Sequence, residues 1–189
     1  MDWSEISALQ VEIFIGVVVV VAAGIVFWLL TRKRRTGRLR TQFGGAEYSR
    51  AVKEGGSQRR AEATLDQRSE RVRGLTIRPL AAEDRARFLE SWSRVQARFV
   101  DGPGGAITDA DKLLGDVMTS RGYPVSGFEQ RAADISVDHP LVLENYRVAH
   151  ASALRHTNGQ ASTEDLRQAM IHYRTLFEEL VREPEVARS

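Results

Sequence analysis

The stretch of sequence that decides the fold is STEDLRQAMIHYRTLFEEL, residues 162–180. Ser162 stands three residues before Asp165, which is the spacing of a capping box at the start of a helix. The apolar side chains that follow recur every three or four residues, at Leu166, Ala169, Met170, Tyr173, Phe177 and Leu180. This period places them on one face of a helix. The sequence therefore predicts an amphipathic helix whose apolar face packs against other helices.

Three earlier segments have the same period. They are 82–100 with Phe88, Trp92, Val95 and Phe99; 103–121 with Ile107, Ala110, Leu114 and Val117; and 140–156 with Val142, Tyr146, Ala149 and Ala153. A shorter helix is predicted at 128–135, and Gly122 followed by Pro124 is typical of a helix end. No stretch alternates as a strand does. The predicted fold is all-α, with a helical bundle at 76–182 and a disordered tail at 183–189.

Residues 32–75 are predicted to form a polybasic juxtamembrane segment and a helical stalk. A short helix is predicted at 43–54, a break at Gly55 and Gly56, and a second helix at 57–73. The apolar positions of that second helix are few: Ala61, Leu65 and Val72. They form a narrow stripe that is enough for one line of contact. Two interpretations stay open, which are packing within the chain and self-association with a second copy.

Residues 13–30, IFIGVVVVVAAGIVFWLL, form an unbroken run of 18 side chains without charge or polarity. A helix of this length spans roughly 27 Å, close to the ~30 Å hydrocarbon core of a bilayer. Trp3 and Trp28 stand near its ends, as interfacial tryptophans do. A cleavable signal peptide is disfavoured because the preceding residues are acidic and no small-residue cleavage site follows. The sequence predicts an N-terminal tail and one transmembrane helix within residues 1–31.

Six bases follow this run directly: Arg32, Lys33, Arg34, Arg35, Arg38 and Arg40. The positive-inside rule then predicts a single-pass protein of the inner (cytoplasmic) membrane, N-out and C-in, with a cytoplasmic helical domain. The same bases are candidates for contact with anionic lipid at the surface of the bilayer.

The formal net charge of +2 is unevenly distributed along the chain. Residues 1–31 carry −3, residues 32–40 carry +6, and the remainder carries −1. A nucleic-acid-binding protein usually carries its basic surface on the folded module, so no nucleic-acid partner is expected. The chain has no cysteine, which excludes disulfides, thiol nucleophiles and cysteine-based zinc sites.

The densest polar part of the predicted bundle is residues 121–150. Nine side chains there are candidates for binding a ligand or a partner: Arg121, Tyr123, Gln130, Arg131, Asp134, Asp138, His139, Tyr146 and His150. Tyr146 and His150 share a helix face at i, i+4, and Asp134 could approach them across the bend at 138–140. Such a pocket could bind an anion or support proton transfer.

Structural roles explain the same residues and are favoured. Asp138 or His139 can cap the helix that Pro140 opens. Asp134 and Arg131 can form an ion pair that holds the short helix. Tyr146 and His150 can be half-buried, with their polar atoms hydrogen-bonded.

No motif predicts a metal, a cofactor or a catalytic reaction. The four histidines are His139, His150, His156 and His172, and no two have the His-x-x-x-His spacing of a zinc site. Asp109-x-Asp111 lacks the other ligands of a calcium loop. No Gly-Lys-Ser/Thr follows the glycine-rich turn at 101–105, and no Gly-x-Ser-x-Gly is present. A non-enzymatic role without cofactor or metal is therefore favoured.

Several stretches resemble a family of uncharacterised helical proteins that are common in actinobacteria and often membrane-anchored. They are residues 43–52, 61–73, 92–101, 121–125, 128–134, 136–140, 162–167 and 172–174. The stretch Gly44-Gly45-Ala46 departs from the shorter, proline-containing pattern of that family. The family has no assigned activity, so the resemblance implies a fold and no reaction.

The leading functional hypothesis is a membrane-anchored helical interaction or scaffold protein that binds a protein partner or itself. The alternative is a ligand-binding or enzymatic domain that uses residues 121–150. A third possibility is a sensor of the lipid surface, whose membrane binding would weaken with salt.

Overall fold

The computed structural model describes the backbone of residues 3–182 and the side chains of residues 20–182. Within the described backbone there are seven helices and no strand, which confirms the predicted all-α fold. The helices are α1 (Trp3–Gly55), α2 (Gln58–Arg73), α3 (Ala82–Asp101), α4 (Pro103–Arg121), α5 (Phe128–Asp138), α6 (Pro140–Thr157) and α7 (Thr163–Val181).

The chain divides into two compact units, Met1–Thr41 (unit 1) and Gln42–Ser189 (unit 2). Unit 1 contains the first part of α1, and its side chains from Ile25 to Leu30 are all exposed apolar groups. Among the residues whose side chains are described, no helix has an apolar stretch long enough to cross a membrane. Residues 13–19 of the predicted span lie outside them, as does the predicted tail at 183–189.

Helix α1 is interrupted by a kink at Gly44, whose φ of 72° and ψ of 158° are not helical, and the part after the kink ends at Gly55. The separate short helix predicted at 43–54 is therefore confirmed. The residues between 31 and 43 include no proline and several good helix formers, so nothing there stops the helix. The predicted break after Gly55 is confirmed: Gly56 has a φ of 67°, and Ser57 caps α2 by accepting from the Arg60 N–H at 3.3 Å.

Within unit 2, the end of α1 and helix α2 form an antiparallel hairpin, residues 42–73. The Tyr48 hydroxyl donates to Glu62 at 2.9 Å, and the Gln42 amide donates to the Ser69 hydroxyl at 3.2 Å. The three apolar positions predicted for α2 are all buried: Ala61, Leu65 and Val72. Helix α2 also packs against α5, so its stripe makes contacts within the chain.

The core of unit 2 lies among helices α3 to α7, with α7 packed against both α6 and α4. Every apolar residue that the sequence placed on the inner face of α7 is buried: Leu166, Ala169, Met170, Tyr173, Phe177 and Leu180. Phe177 is fully buried and stacks on Trp92 of α3 with ring centroids 4.7 Å apart. Burial of one such side chain stabilises the fold by about 1.5–3 kcal/mol.

The connection from α4 to α5 depends on Gly122, which ends α4 in the left-handed conformation with a φ of 101°. This confirms the predicted helix end. A Cβ at this position would lie 2.3 Å from the Thr76 carbonyl oxygen, so the linker before α3 passes directly over the turn. The Arg78 N–H donates to the Arg121 carbonyl at 2.9 Å and fixes that approach.

Gly122→Ala is expected to lower the free energy of unfolding of the full chain by at least about 2 kcal/mol, because backbone strain and the clash with Thr76 add. Urea unfolding followed by far-UV circular dichroism measures the change. Gly127→Ala is the matched control, since its Cβ would meet nothing within 4 Å. Equal stability of the two variants would contradict the close approach.

Candidate functional site

The polar centre of unit 2 is Asp111, on the apolar face of α4. Its carboxylate accepts the Tyr146 hydroxyl at 3.3 Å and the Tyr173 hydroxyl at 3.4 Å. Arg131 of α5 donates to the second carboxylate oxygen at 2.7 Å. One side chain of α4 thereby binds donors from α5, α6 and α7.

The environment of Asp111 keeps both tyrosines protonated. Burial raises the pKa of Tyr146 and of Tyr173, and the negative charge of Asp111 raises both further. The two phenols therefore act as donors and not as bases at neutral pH. The Arg131 guanidinium lies 5.8 Å from the centre of the Tyr146 ring, in the space left by Gly115, where a Cβ would come within 2.8 Å of it.

Tyr146 and His150 share a face of α6, as predicted, but among the described residues their polar atoms have no common hydrogen-bond partner. The His150 ring stacks on Phe128 with centroids 3.6 Å apart and an interplanar angle of 6°. Burial lowers the pKa of His150, which keeps the ring neutral. His150 is thus half-buried against an aromatic ring, in agreement with a structural role.

The predicted pair between Asp134 and Arg131 is wrong. Arg131 reaches to Asp111, whereas Asp134 accepts from Arg71 of α2 and, at 3.2 Å, from the Gln130 amide. Each side chain finds its partner on another helix, because Asp134 faces α2 and Arg131 faces α4. Asp134 is fully buried, its second oxygen has no partner among the described residues, and burial raises its pKa despite the adjacent Arg71.

Asp138 and His139 stand where α5 ends and α6 begins. The position before Pro140 is occupied by His139, but no side chain there makes a capping hydrogen bond, so the predicted cap is wrong. Instead, Asp138 accepts the Tyr123 hydroxyl at 2.9 Å, and the His139 Nδ1 lies 3.1 Å from Glu179. Burial raises the pKa of Tyr123, and Asp138 adds to the effect, so this phenol is also a donor.

Three of the nine predicted residues, Arg121, Asp138 and His139, line one cleft of about 490 Å³ in unit 2. The opposite wall comes from the hairpin and the linker after it: Gln42, Ser69, Val72, Arg73, Leu75 and Ile77. The other six predicted residues do not line it. The nine candidates therefore do not form a single site.

Arg121 has a structural role beside the cleft. Its Nη1 donates to the Leu180 carbonyl at 3.1 Å, and the Arg85 Nε donates to the Val181 carbonyl at 2.9 Å. Two arginines thus satisfy carbonyls that the last turn of α7 leaves without helical partners. The Arg121 Nε is buried with no partner among the described residues, which costs about 1–3 kcal/mol.

The predicted lipid-surface residues lie in unit 1, and all six are exposed: Arg32, Lys33, Arg34, Arg35, Arg38 and Arg40. The Arg32 guanidinium lies 5.3 Å from the centre of the Trp28 ring. The Thr31 hydroxyl donates to the Trp28 carbonyl at 2.9 Å.

Sequence reasoning missed two acids that hold unit 2 together: Glu47, which is buried, and Asp111, which is half-buried. Asp111 was considered only as a calcium ligand, and Glu47 was not considered. Glu47 accepts from Arg68 at 2.6 Å and from Arg147 at 3.1 Å, which joins the hairpin to α6. The available signal was an acid within an apolar stripe, since Asp111 falls four residues after Ile107 and three before Leu114.

Comparison of the chain with protein-family models, with curated proteins and with solved structures finds no match. Among the described residues, no group of three or more histidine or acidic side chains is arranged to hold a metal ion.

Asp111→Asn is expected to lower the free energy of unfolding by about 2–3 kcal/mol, because the half-buried Arg131 loses its anionic partner. The matched variant Asp134→Asn should lose little at pH 7, because it removes a charge that burial disfavours and Arg71 is exposed enough to be hydrated.

The pH dependence of the free energy of unfolding distinguishes Asp134 from Asp111. Burial raises the pKa of Asp134 above its ordinary 3.8, so the folded protein takes up this proton at a higher pH than the unfolded chain. The wild type should therefore gain stability relative to Asp134→Asn as the pH falls from 7 through the raised value, and the gain is complete below about 4. Urea unfolding at several pH values measures it, and a difference that does not change with pH would contradict the assignment.

Proposed function

We propose that the chain is a single-pass protein of the inner membrane, N-out and C-in, whose unit 2 is a cytoplasmic interaction or scaffold module. The observation that carries the anchor is the exposure of consecutive apolar side chains in unit 1, from Ile25 to Leu30. A helix in water exposes apolar groups on a limited face, whereas a helix that is apolar on all sides is stable within a bilayer. The resemblance to actinobacterial proteins favours a bacterial membrane.

The end of the apolar run has the composition of a membrane interface. The Trp28 ring is exposed, the Arg32 guanidinium lies over it, and the six exposed bases occupy the nine-residue segment 32–40. An indole ring and arginine side chains are favoured at the level of the lipid headgroups. This arrangement supports contact of the bases with anionic lipid on the cytoplasmic side.

A partner surface is proposed on the outer face of α6 and α7. Leu141 and Val148 share a face of α6 with Asn145, and their exposed fractions are 90% and 39%. Asn145 contacts His172 of α7 at 3.0 Å, beside Ile171, which is 44% exposed. The core of a protein–protein interface is apolar and its rim is polar, so exposed apolar groups beside a polar pair support a partner surface here.

The alternative of an enzymatic domain has less support. A general base needs a carboxylate or imidazole within reach of the substrate. Asp111, Asp134 and Asp138 instead accept hydrogen bonds from side chains of this chain, and His150 stacks on Phe128. Ligand binding has support from the cleft at Arg121.

The absence of cysteine allows the topology to be measured by single introduced thiols. Ser4→Cys should react with a membrane-impermeant maleimide in intact bacterial cells, and Gln160→Cys should react only after lysis. The reverse pattern would overturn the orientation.

The anchor is tested by the double variant Val20→Arg with Ile25→Arg. Each arginine costs about 2.5–3.5 kcal/mol at the centre of a membrane helix, so the chain should move from the membrane fraction to the soluble fraction. The control places the same substitutions at Val100 and Val125 of unit 2, which are 84% and 87% exposed. A variant chain that stays in the membrane fraction would refute the proposed span.

The partner surface is tested by cross-linking the tagged chain in its own membrane. Leu141→Asp with Val148→Asp should abolish the cross-linked product. The double variant loses the apolar contacts of the interface, and binding would have to remove water from two unpaired carboxylates. Leu154→Asp is the control, since it is exposed on another face of α6. Capture of this chain alone identifies a homo-oligomer, and an unchanged product in the double variant excludes this surface.

A further inference from the structure

We propose that the cleft beside Arg121 binds a small organic carboxylate whose body is apolar. The cleft has a volume of about 490 Å³, which falls within the range of small-molecule sites, roughly 300–1,000 Å³. The proposal goes beyond the anchor and the partner surface and depends on neither.

The charge of Arg121 is the first reason. Its Nη1 donates to the Leu180 carbonyl, and its Nε is buried without a hydrogen-bond partner among the described residues. The C-terminus of a helix offers only about half a unit of negative charge. A half-buried guanidinium is therefore left partly uncompensated, and an anion in the cleft would complete its pairing.

The acids around the cleft are already engaged by other groups. Asp138 accepts the Tyr123 hydroxyl at 2.9 Å. Glu179 lies 3.1 Å from His139 and 3.0 Å from Arg182. On the opposite wall, Arg73 pairs with Glu70 at 2.5 Å, but both side chains are more than 60% exposed, so this pair can open at little cost. Arg121 and Arg73 together can hold one carboxylate.

The walls decide the class of anion. Val72, Leu75 and Ile77 line one side of the cleft, and Val137 lines the other. These groups favour an apolar body over inorganic phosphate. The planar fork of a guanidinium matches the two oxygens of a carboxylate, so a compact aromatic or aliphatic acid fits both features.

The position of the cleft gives the ligand a structural effect. One wall belongs to the hairpin and the linker after it, and the other belongs to the ends of α4 and α5. A ligand that contacts both walls stabilises the folded state by mass action. The unfolding temperature of the chain should therefore rise as the ligand occupies more of the cleft.

The test uses the full chain in lipid nanodiscs and ligand-observed NMR with benzoate, benzamide and inorganic phosphate. Benzamide has the same shape as benzoate without its charge, and phosphate has charge without an apolar body. Benzoate should bind saturably, and benzamide should bind about tenfold more weakly because it cannot form the charge-assisted pair. Phosphate should also bind more weakly than benzoate, because it lacks the apolar body. Equal binding of benzoate and benzamide, or no saturable benzoate binding at millimolar concentration, would overturn the proposal.

Variants locate the site. Arg121→Gln keeps a donor for the Leu180 carbonyl and should weaken benzoate about tenfold, as should the exposed variant Arg73→Gln. Arg94→Gln is the matched control, because Arg94 is equally exposed and pairs with Glu90 on its own helix. Asp138→Asn should strengthen binding by removing a repulsive charge. Affinity that is unchanged in both Arg73→Gln and Asp138→Asn places benzoate elsewhere and refutes the site.

Discussion

The rest of unit 2 depends on the carboxylate of Asp111. Apolar packing among α3 to α7 supplies most of the stabilisation, but it has no direction, and helices with apolar stripes can rotate and slide against each other at modest cost. Asp111 removes that freedom, because its hydrogen bonds to Arg131, Tyr146 and Tyr173 fix α5, α6 and α7 relative to α4. Burial of this polar network costs little stability because nearly every polar group in it has a hydrogen-bond partner. Burial raises the pKa of both phenols and the charge of Asp111 raises it further, so both remain protonated donors.

The hairpin at residues 42–73 is held differently. Its apolar residues, such as Leu65, do not belong to the core cluster of α3 to α7. Its attachment to the bundle uses Glu47 with Arg147 and Arg71 with Asp134. Glu47 and Arg147 are both less than 10% exposed, so neither can lose the other without leaving a buried charge. These ion pairs fix one register of the hairpin, because each buried charge has to keep its partner, and the packing of α2 against α5 adds to the attachment.

The sequence was sufficient for the helices because their signals are local. The period of α7, the capping box at Ser162 and the left-handed turn at Gly122 depend on neighbouring residues, and all three are confirmed. The partner of a charged side chain depends on which helices pack against each other. The spacing of apolar residues shows which face of a helix is buried, but it does not show which helix packs against that face. Asp134 was therefore paired with Arg131 on its own helix, although each side chain reaches to another. Asp111 was visible as an acid on an apolar stripe, but its role depends on three helices that are distant in sequence.

These contacts also bear on function. A carboxylate that already accepts several donors has few lone pairs left for a substrate, and a phenol with a raised pKa does not serve as a base. The polar residues of unit 2 therefore mainly hold the helices, and the recognition that we propose uses the cleft and the outer face of α6 and α7. Exposed apolar groups there are few, which would give a weak interface in free solution. In the proposed anchored state, confinement to a membrane raises the effective concentration of both partners, so a weak and reversible contact is sufficient.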